Sequence, residues 1–200
     1  MSTKSEIKIE IVSSQKAFDD VMFIRKRVFV EECGVAEDRE FDGNDFCAAH
    51  IVAYLQKNDD KIPIGTMRIR SFGNFAKFER MAVLPHFRRT SLANDIMQYG
   101  FWCVSCLGFR EVRGMCKKEL LPRWEKCGFE KIEDINHYYY NGMNLISIRR
   151  ELPKNPYAKI IASDPKYLNA RVGHWFDDNP DFQKKSFMIN SLLKQKKQNS

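Results

Sequence analysis

Long apolar runs are absent from this 200-residue sequence. No stretch approaches the roughly 20 consecutive apolar residues that a membrane-spanning helix requires, so we expect no membrane span. The amino-terminal residues MSTKSEIKIE are polar and alternate in hydropathy, which is unlike a secretion signal. We therefore expect a cytoplasmic protein. Internal repeats are also missing, and the length suits one domain with an appendage.

A disulfide framework is not expected either. Six cysteines are present, but nothing in the sequence directs the chain to an oxidising compartment. Cys103 and Cys106 form a C-x-x-C pair in a helical pattern, without a second pair at the spacing of a zinc site. We therefore expect thiols that pack as small hydrophobic groups, and no metal site.

Positive charge is concentrated at the carboxyl-terminal end. The net charge is +7, and residues 153–200 hold nine Lys or Arg against four Asp. Such an excess can indicate nucleic acid, an anionic surface or a phosphate-rich ligand. We expect no nucleic-acid partner, because aromatic and basic residues do not interleave on a predicted sheet. The sequence thus divides into a domain at 1–152 and a basic extension of unknown role at 153–200.

The hydropathy pattern predicts a chain that mixes strands and helices. Alternating residues predict strands at 6–12, 47–56, 63–72, 76–83, 111–116, 129–132 and 144–152. Apolar residues at helical spacing predict helices at about 15–32, from Thr90 or Ser91 to 107, and at 119–127. We expect an α/β fold in which helices cover the faces of a mixed sheet.

The stretch from Val83 to Asn94 carries the most chemical information. A strand ends there, a loop with Arg88 and Arg89 follows, and a helix begins. The first N–H groups of a helix lack partners within the helix and carry partial positive charge. Two arginines beside such a terminus suit a pyrophosphate, although a solvated basic loop has the same pattern.

Four segments resemble those of GNAT acyltransferases. The residues RRTSLA at 88–93 resemble the pyrophosphate motif Arg/Gln-x-x-Gly-x-Gly/Ala, and ERMAVLP at 79–85 resembles the strand before it. LPRWEKCGF at 121–129 resembles the segment F-Y-E-K-x-G-F. IRKRVFVEECGV at 24–35 is similar to the opening of the ElaA-like subgroup. The same opening is less closely similar to that of acyl-homoserine lactone and N-acyl amino acid synthases.

The resemblance implies a GNAT fold with a mixed, mostly antiparallel, splayed sheet and a carboxyl-terminal extension. It also implies acetyl-CoA or another acyl-CoA as co-substrate, bound in the gap between the strands at 76–83 and 111–116. Backbone groups of Met81 and Val83 would pair with the pantetheine arm, and amides from Arg89 to Asn94 would hold the pyrophosphate. The expected donor-binding residues are Met81, Ala82, Val83, Arg88, Arg89, Thr90, Ser91, Leu92, Ala93 and Asn94.

Two positions depart from the family pattern. Ser91 stands where the motif usually has glycine; its hydroxyl can bond a phosphate, but serine resists a positive φ angle. Trp124 stands where many members have the tyrosine that protonates the leaving thiolate. An indole N–H cannot serve as that acid. The candidates for this role are therefore Trp124, through a hydrogen bond only, and Tyr138, which is nearby in the sequence.

Charged residues supply the remaining candidates. Glu79 lies where several members hold the general base, although a structural ion pair with an arginine is an equal alternative. Arg25, Glu32 and Glu40 lie in the region that should wall the acceptor pocket, and we expect them to contact the substrate. A covalent intermediate on Cys116 is not expected, because no residue at a suitable spacing would activate the thiol.

We therefore predict an acyltransferase that moves an acetyl or longer acyl group from acyl-CoA to an amine of a small molecule or peptide. The amine would attack directly in a ternary complex. One alternative is an enzyme like the N-acyl amino acid synthases, taking a long acyl chain from acyl carrier protein or CoA. Another is a GNAT-fold module that binds CoA with little turnover. The sequence predicts no oligomeric state.

Overall fold

The computed structural model describes residues 6–57, 60–133, 138–140 and 142–170. The strands within these ranges are β1 (Glu6–Ile11), β2 (Ala49–Lys57), β3 (Asp60–Phe72), β4 (Phe75–Val83), β5 (Glu111–Lys117), β6 (Glu130–Lys131), β7 (Tyr138–Tyr140) and β8 (Met143–Glu151). The α-helices are α1 (Gln15–Arg25), α2 (Glu37–Glu40), α3 (Leu92–Cys106), α4 (Leu121–Glu125), α5 (Tyr157–Ser163) and α6 (Pro165–Leu168). A π-helical segment spans Lys26–Glu32, and 3-10 turns span Asn44–Cys47, Pro85–Phe87 and Lys118–Leu120.

One sheet joins these strands in the order β1-β2-β3-β4-β5-β8, and β6 and β7 both pair with β8. Every pairing is antiparallel except that of β4 with β5. These two strands run parallel and pair only at Ala76 with Val112 and at Lys77 with Arg113. Beyond that point they separate. The structure confirms the predicted fold, a mixed and mostly antiparallel open sheet with helices on its faces.

Helices cover both faces of the sheet because its central strands are apolar on both sides. On β2, Ile51 and Ala53 belong to the core that packs against α3, whereas Val52 and Tyr54 belong to the core against α1. This alternation follows from the two-residue repeat of a strand. It accounts for the continuous apolar run of β2, which is typical of a strand buried on both faces.

The predicted helix at 15–32 changes geometry after Arg25. From Lys26 to Glu32 the chain is a π-helix, and the N–H of Cys33 donates to the carbonyl of Val28, five residues earlier (3.2 Å). Side-chain spacing alone does not distinguish this wider turn from an α-helix over so few residues. Isolated π-helical turns occur frequently at functional sites, and this one leads directly into the cleft described below.

The first part of the predicted extension packs against the domain. Ile161 of α5 is buried with Cys106 of α3, and Asn155 Nδ2 donates to Ser105 Oγ (2.8 Å). Trp175 and Phe176, and the apolar run at 187–193, could also dock on the domain by their sequence, but residues 171–200 lie outside the described residues. None of the helices in the described ranges is long and apolar enough to cross a membrane.

The core at α3 predicts a measurable contrast between two isoleucines. Ile96 on α3 is fully buried, whereas Ile62 on β3 is 45% exposed. We expect Ile96→Ala to lower the free energy of unfolding by about 2–5 kcal/mol, because it leaves a cavity. Ile62→Ala should cost less than about 1 kcal/mol. Urea unfolding followed by circular dichroism measures both, and equal losses would contradict the assigned packing.

Candidate functional site

A cleft of about 670 Å³ opens where β4 and β5 separate. Its walls come from the π-helical segment, the end of β4, the loop that follows β4, the first half of α3, and α4. Seven of the predicted donor-binding residues line this single cleft: Met81, Ala82, Val83, Arg88, Arg89, Thr90 and Ala93. The sequence motif and this cleft therefore coincide.

The amino terminus of α3 presents its first amides at the cleft wall. The first bond of the helical ladder runs from Asp95 N–H to the carbonyl of Ser91 (2.9 Å). The N–H of Leu92 donates to Thr90 Oγ1 (3.2 Å), and that hydroxyl donates to the carbonyl of Phe87 (2.7 Å). The threonine thus shapes the turn. The amides of the residues that follow Leu92 precede the ladder, as expected for an anion-binding helix terminus.

Ser91 does not occupy the conformation that requires glycine. Its φ angle is −72°, and the left-handed residue of this loop is Arg89, with φ of 62°. The hydroxyl of Ser91 donates to Asp95 Oδ2 (2.9 Å), so a bond from it to a phosphate would have to replace this contact. A serine at position 91, where the motif usually has glycine, is therefore compatible with the local backbone conformation.

Two predicted donor residues lie away from the cleft surface. The side chain of Leu92 is buried in the core beneath α3, so only its backbone is available at the turn. Asn94 is exposed and does not line the cleft; its Oδ1 accepts from Gln98 Nε2 (3.4 Å) and from the thiol of Cys127 (3.7 Å).

Arg88 joins two walls of the cleft. Its two terminal nitrogens each donate to one carboxylate oxygen of Glu32 (2.6 Å each), and its Nε donates to the carbonyl of Val83 (2.9 Å). The hydrogen bond from Arg88 lowers the pKa of Glu32, and the same bond raises the pKa of Arg88. The predicted substrate contact Glu32 and the predicted donor contact Arg88 therefore bind each other.

Arg89 and Arg123 are the cleft arginines without such a partner. Both line the cleft and are exposed, and neither forms an ion pair within the described part of the chain. Because Glu32 neutralises Arg88, these two side chains supply the unpaired positive charge at this surface. Arg123 lies in the segment LPRWEKCGF at 121–129. The resemblance of that segment predicted no role for this arginine.

Comparisons with known proteins give partial sequence matches. No model of a known protein family matches the chain. Over 92 residues it is 35% identical to a Bacillus subtilis (strain 168) protein named as a candidate acetyltransferase, covering 44% of this chain and 60% of that protein. It is 30% identical over 92 residues to the uncharacterized N-acetyltransferase YjcF of the same organism, covering 46% and 63%. The chain thus spans less than two thirds of either relative.

Several solved structures match over nearly their whole length and over about three quarters of this chain. An N-acetyltransferase candidate from Lactobacillus plantarum has a TM-score of 0.67 at 23% identity, with 74% of this chain and 99% of that one covered. Escherichia coli ElaA gives 0.61 at 20%, with 74% and 100% covered. FeeM, an N-acyl amino acid synthase from uncultured soil microbes, gives 0.63 at 14%, with 78% and 99% covered. At these identities the structural matches show the fold.

The chain has the fold of these solved structures. Of its three predicted catalytic residues, only Trp124 lines the cleft. Its ring packs edge-on against Phe129, with centroids 5.3 Å apart. Tyr138 lies on β7, which β8 separates from β5, and its side chain is 50% exposed. The structure therefore does not bring Tyr138 to the cleft.

Glu79 is engaged in ion pairs rather than facing the cleft. Its Oε1 lies 2.8 Å from a terminal nitrogen of Arg68, and its Oε2 lies 2.7 Å from Lys77 Nζ. The structure thus supports the alternative of a structural ion pair for this residue. The thiol of Cys116 is buried, and burial raises its pKa to about 11, which agrees with the expectation that it forms no acyl intermediate.

Arg25 and Glu40, predicted as substrate contacts, are fully buried and bind each other. Arg25 Nε lies 2.6 Å from Glu40 Oε1, and a terminal nitrogen donates to the Glu40 carbonyl (2.6 Å). Arg25 also pairs with Asp45, which accepts from Arg68 (2.9 Å). We call the set Arg25, Glu40, Asp42, Asp45, Arg68, Glu79 and Arg80 the arginine–carboxylate network. It lies between the sheet and the chain from α1 to residue 47, so Arg25 and Glu40 are not at the cleft surface.

Burial and pairing compete within this network. Burial raises the pKa of Glu40, although Arg80 and Arg25 oppose the shift. For Asp45, burial acts in the same direction, but hydrogen bonds from Arg25 and Arg68 outweigh it and the pKa falls. Burial lowers the pKa of His50, whose Nε2 lies 3.2 Å from the Asp45 carbonyl, so this ring is neutral near pH 7.

The cleft also includes residues for which the sequence predicted no role. These are Val28, Cys33, Phe87, Met97, Leu120 and Arg123. One sequence signal was available for α3, because Thr90, Ala93 and Met97 follow the three- and four-residue spacing of a single helix face.

Substitutions of Arg25, which belongs to the arginine–carboxylate network, and of Arg27, which does not, test the contribution of the network to stability. Arg25→Met leaves the buried carboxylates of Glu40 and Asp45 without a full complement of positive charge. It should therefore lower the free energy of unfolding by about 3–5 kcal/mol. Arg27→Met removes an exposed pair with Glu31 and should cost less than about 1 kcal/mol. Denaturant unfolding of the two variants provides the comparison. A loss at Arg25 no larger than that at Arg27 would contradict the structural role.

Proposed function

We propose that this protein is an acyltransferase that moves an acyl group from acyl-CoA to an amine. One observation carries the proposal: seven of the ten predicted donor residues line one cleft at the amino terminus of α3. The names of the two Bacillus subtilis relatives agree with this reading. The cytoplasmic location expected from the sequence remains a prediction.

The residues of the cleft fit a CoA-type donor. Amides at the start of α3 would hold the pyrophosphate, and Arg89 and Arg123 would add side-chain contacts to phosphate oxygens. The edge of β4 would receive the pantetheine arm. Because Arg88 already binds the carbonyl of Val83 (2.9 Å), this pairing would depend chiefly on Met81.

A bound acyl-CoA supplies a thioester carbonyl that a neutral amine can attack. On the protein side, the walls of the cleft would orient the two reactants and limit the access of water, and positioning would supply most of the rate. Trp124 can donate a hydrogen bond but not a proton. With Glu79 in ion pairs and Tyr138 outside the cleft, we propose that no residue in the described ranges of the chain acts as a strong general acid.

A longer acyl chain is a second candidate for the transferred group. Val28, Phe87, Met97 and Leu120 give the cleft apolar walls, and apolar walls favour an apolar substrate group. Acyl carrier protein remains an alternative donor, because its prosthetic arm ends in the same pantetheine. The two donors differ in charge, since CoA carries three phosphates and the carrier protein's arm carries one.

Calorimetry with CoA and dephospho-CoA tests donor recognition. We expect Arg89→Ala and Arg123→Ala each to raise the Kd of CoA about tenfold, the loss of about 1.4 kcal/mol that one charged contact supplies. The control Arg149→Ala removes an exposed arginine that lies outside the cleft and pairs with Glu130. It should change the Kd by less than about twofold. Dephospho-CoA lacks the 3′-phosphate of CoA. If the cleft prefers CoA to acyl carrier protein, the wild type should bind dephospho-CoA with a higher Kd than CoA.

Turnover is measured as the release of free CoA thiol from acetyl- and longer acyl-CoA with a panel of amines and amino acids. Acylation of any amine supports the enzyme. Preference for long chains supports the second candidate. Binding of CoA without acylation of any amine would favour the non-enzymatic module, and failure of the wild type to bind CoA or its acyl forms would overturn the proposal.

A further inference from the structure

A bulge in β4 places Arg80 in a strained conformation beside the cleft. On β3, Thr66 pairs with Ala82 and Arg68 pairs with Glu79, so Arg80 and Met81 together stand opposite Met67. The φ angle of Arg80 is 54°. A residue other than glycine rarely adopts this left-handed conformation and does so at a cost in free energy. Neighbouring structure must therefore hold it there.

An ion pair and hydrogen bonds of the Arg80 side chain hold the residue in this conformation. Its Nε lies 2.9 Å from Glu40 Oε2, and a terminal nitrogen donates to the carbonyl of Arg39 (3.2 Å) and to Asp42 Oδ2 (3.4 Å). These partners are themselves fixed. Arg25 binds Glu40 (2.6 Å), and Arg68 binds Asp42 (2.8 and 3.0 Å).

The bulge determines where Met81 points. Glu79, just before the bulge, is anchored by Arg68, whereas Met81, the second residue of the bulge, lines the cleft. A bulge inserts a residue, bends its strand and redirects the side chain and backbone that follow. The position of Met81, where β4 would meet the pantetheine arm, is thus set by the bulge.

We infer that Arg80 is a positioning residue, whose contacts with Glu40, Asp42 and the Arg39 carbonyl hold the bulge of β4 and so place Met81 against the acyl donor. This inference rests on the proposed function. It also gives Arg25 and Glu40 a role different from the predicted substrate contacts, because they act on the cleft through Arg80. The chain from α2 to Asp42 thereby becomes part of the support of the donor strand.

A pair of substitutions at Arg80 separates this role from direct substrate contact. Arg80→Ala removes the contacts and keeps the strain, whereas Arg80→Gly removes both, because glycine adopts positive φ readily. We expect Arg80→Ala to lower kcat about tenfold to a hundredfold, since small misplacements have effects of that size. Arg80→Gly should recover part of this loss. The Kd of CoA should change less than kcat, because the pyrophosphate site is on α3.

Arg149 on β8 provides the matched control. It is an arginine in an ion pair with Glu130, but it is not among the residues with positive φ. Glycine weakens an ordinary strand position. Arg149→Gly should therefore have a lower thermal midpoint than Arg149→Ala, whereas Arg80→Gly should have a higher midpoint than Arg80→Ala. The same order of glycine and alanine at both positions would overturn the inference.

A readout that does not require turnover keeps this test separate from the proposed function. In protein labelled with [13C-methyl]methionine, the Met81 methyl resonance should shift in Arg80→Ala and return toward its wild-type position in Arg80→Gly. Met97, on the opposite wall of the cleft, serves as an internal reference. An unmoved Met81 resonance, or equal loss of activity in both Arg80 variants, would contradict the positioning role. Absence of turnover in the wild type would instead contradict the proposed function.

Discussion

The separation of β4 from β5 is the constraint on which the rest of the site depends. Two parallel strands within one sheet normally satisfy each other's backbone N–H and C=O groups along their length. Here the pairing stops after Lys77 and Arg113, and the two strands diverge toward their carboxyl ends. The cleft fills the space that this divergence creates. The loop after β4 then leads to α3, whose amino terminus faces the same opening, so strand edge and helix terminus meet at one place.

Five arginines at the cleft and in the network divide by their surroundings into three kinds. Arg25 and Arg68 are buried among carboxylates and tie the amino-terminal helices to the sheet. Arg88 bridges two walls of the cleft through Glu32. Arg89 and Arg123 are exposed at the cleft and have no ion pair in the described ranges. Among the arginines that line the cleft, the unpaired positive charge is thus on Arg89 and Arg123, although the sequence alone does not distinguish the three kinds.

Much of the fold was predictable because its signals are local. The hydropathy pattern predicted seven of the eight described strands, all except β7, and the strand–loop–helix order with its arginines predicted the donor turn. The pairing of Arg25 with Glu40 was not predictable, because a cation inside an apolar stripe gives no indication of a partner fifteen residues away. Positive φ at Arg80 and Arg89 was equally hidden, since no glycine marks either position. Residue spacing also could not reveal the π-helical turn that carries Val28 and Glu32 into the cleft.

The central claim is that the amides at the start of α3 and the edge of β4 form one binding surface for the donor. Hydrogen–deuterium exchange, followed by mass spectrometry with and without saturating CoA, measures this directly. The account predicts slower exchange in peptides that cover residues 81–94, and little change at β7 and β8, which lie outside the cleft. Unchanged exchange across residues 81–94 while CoA is bound would contradict it.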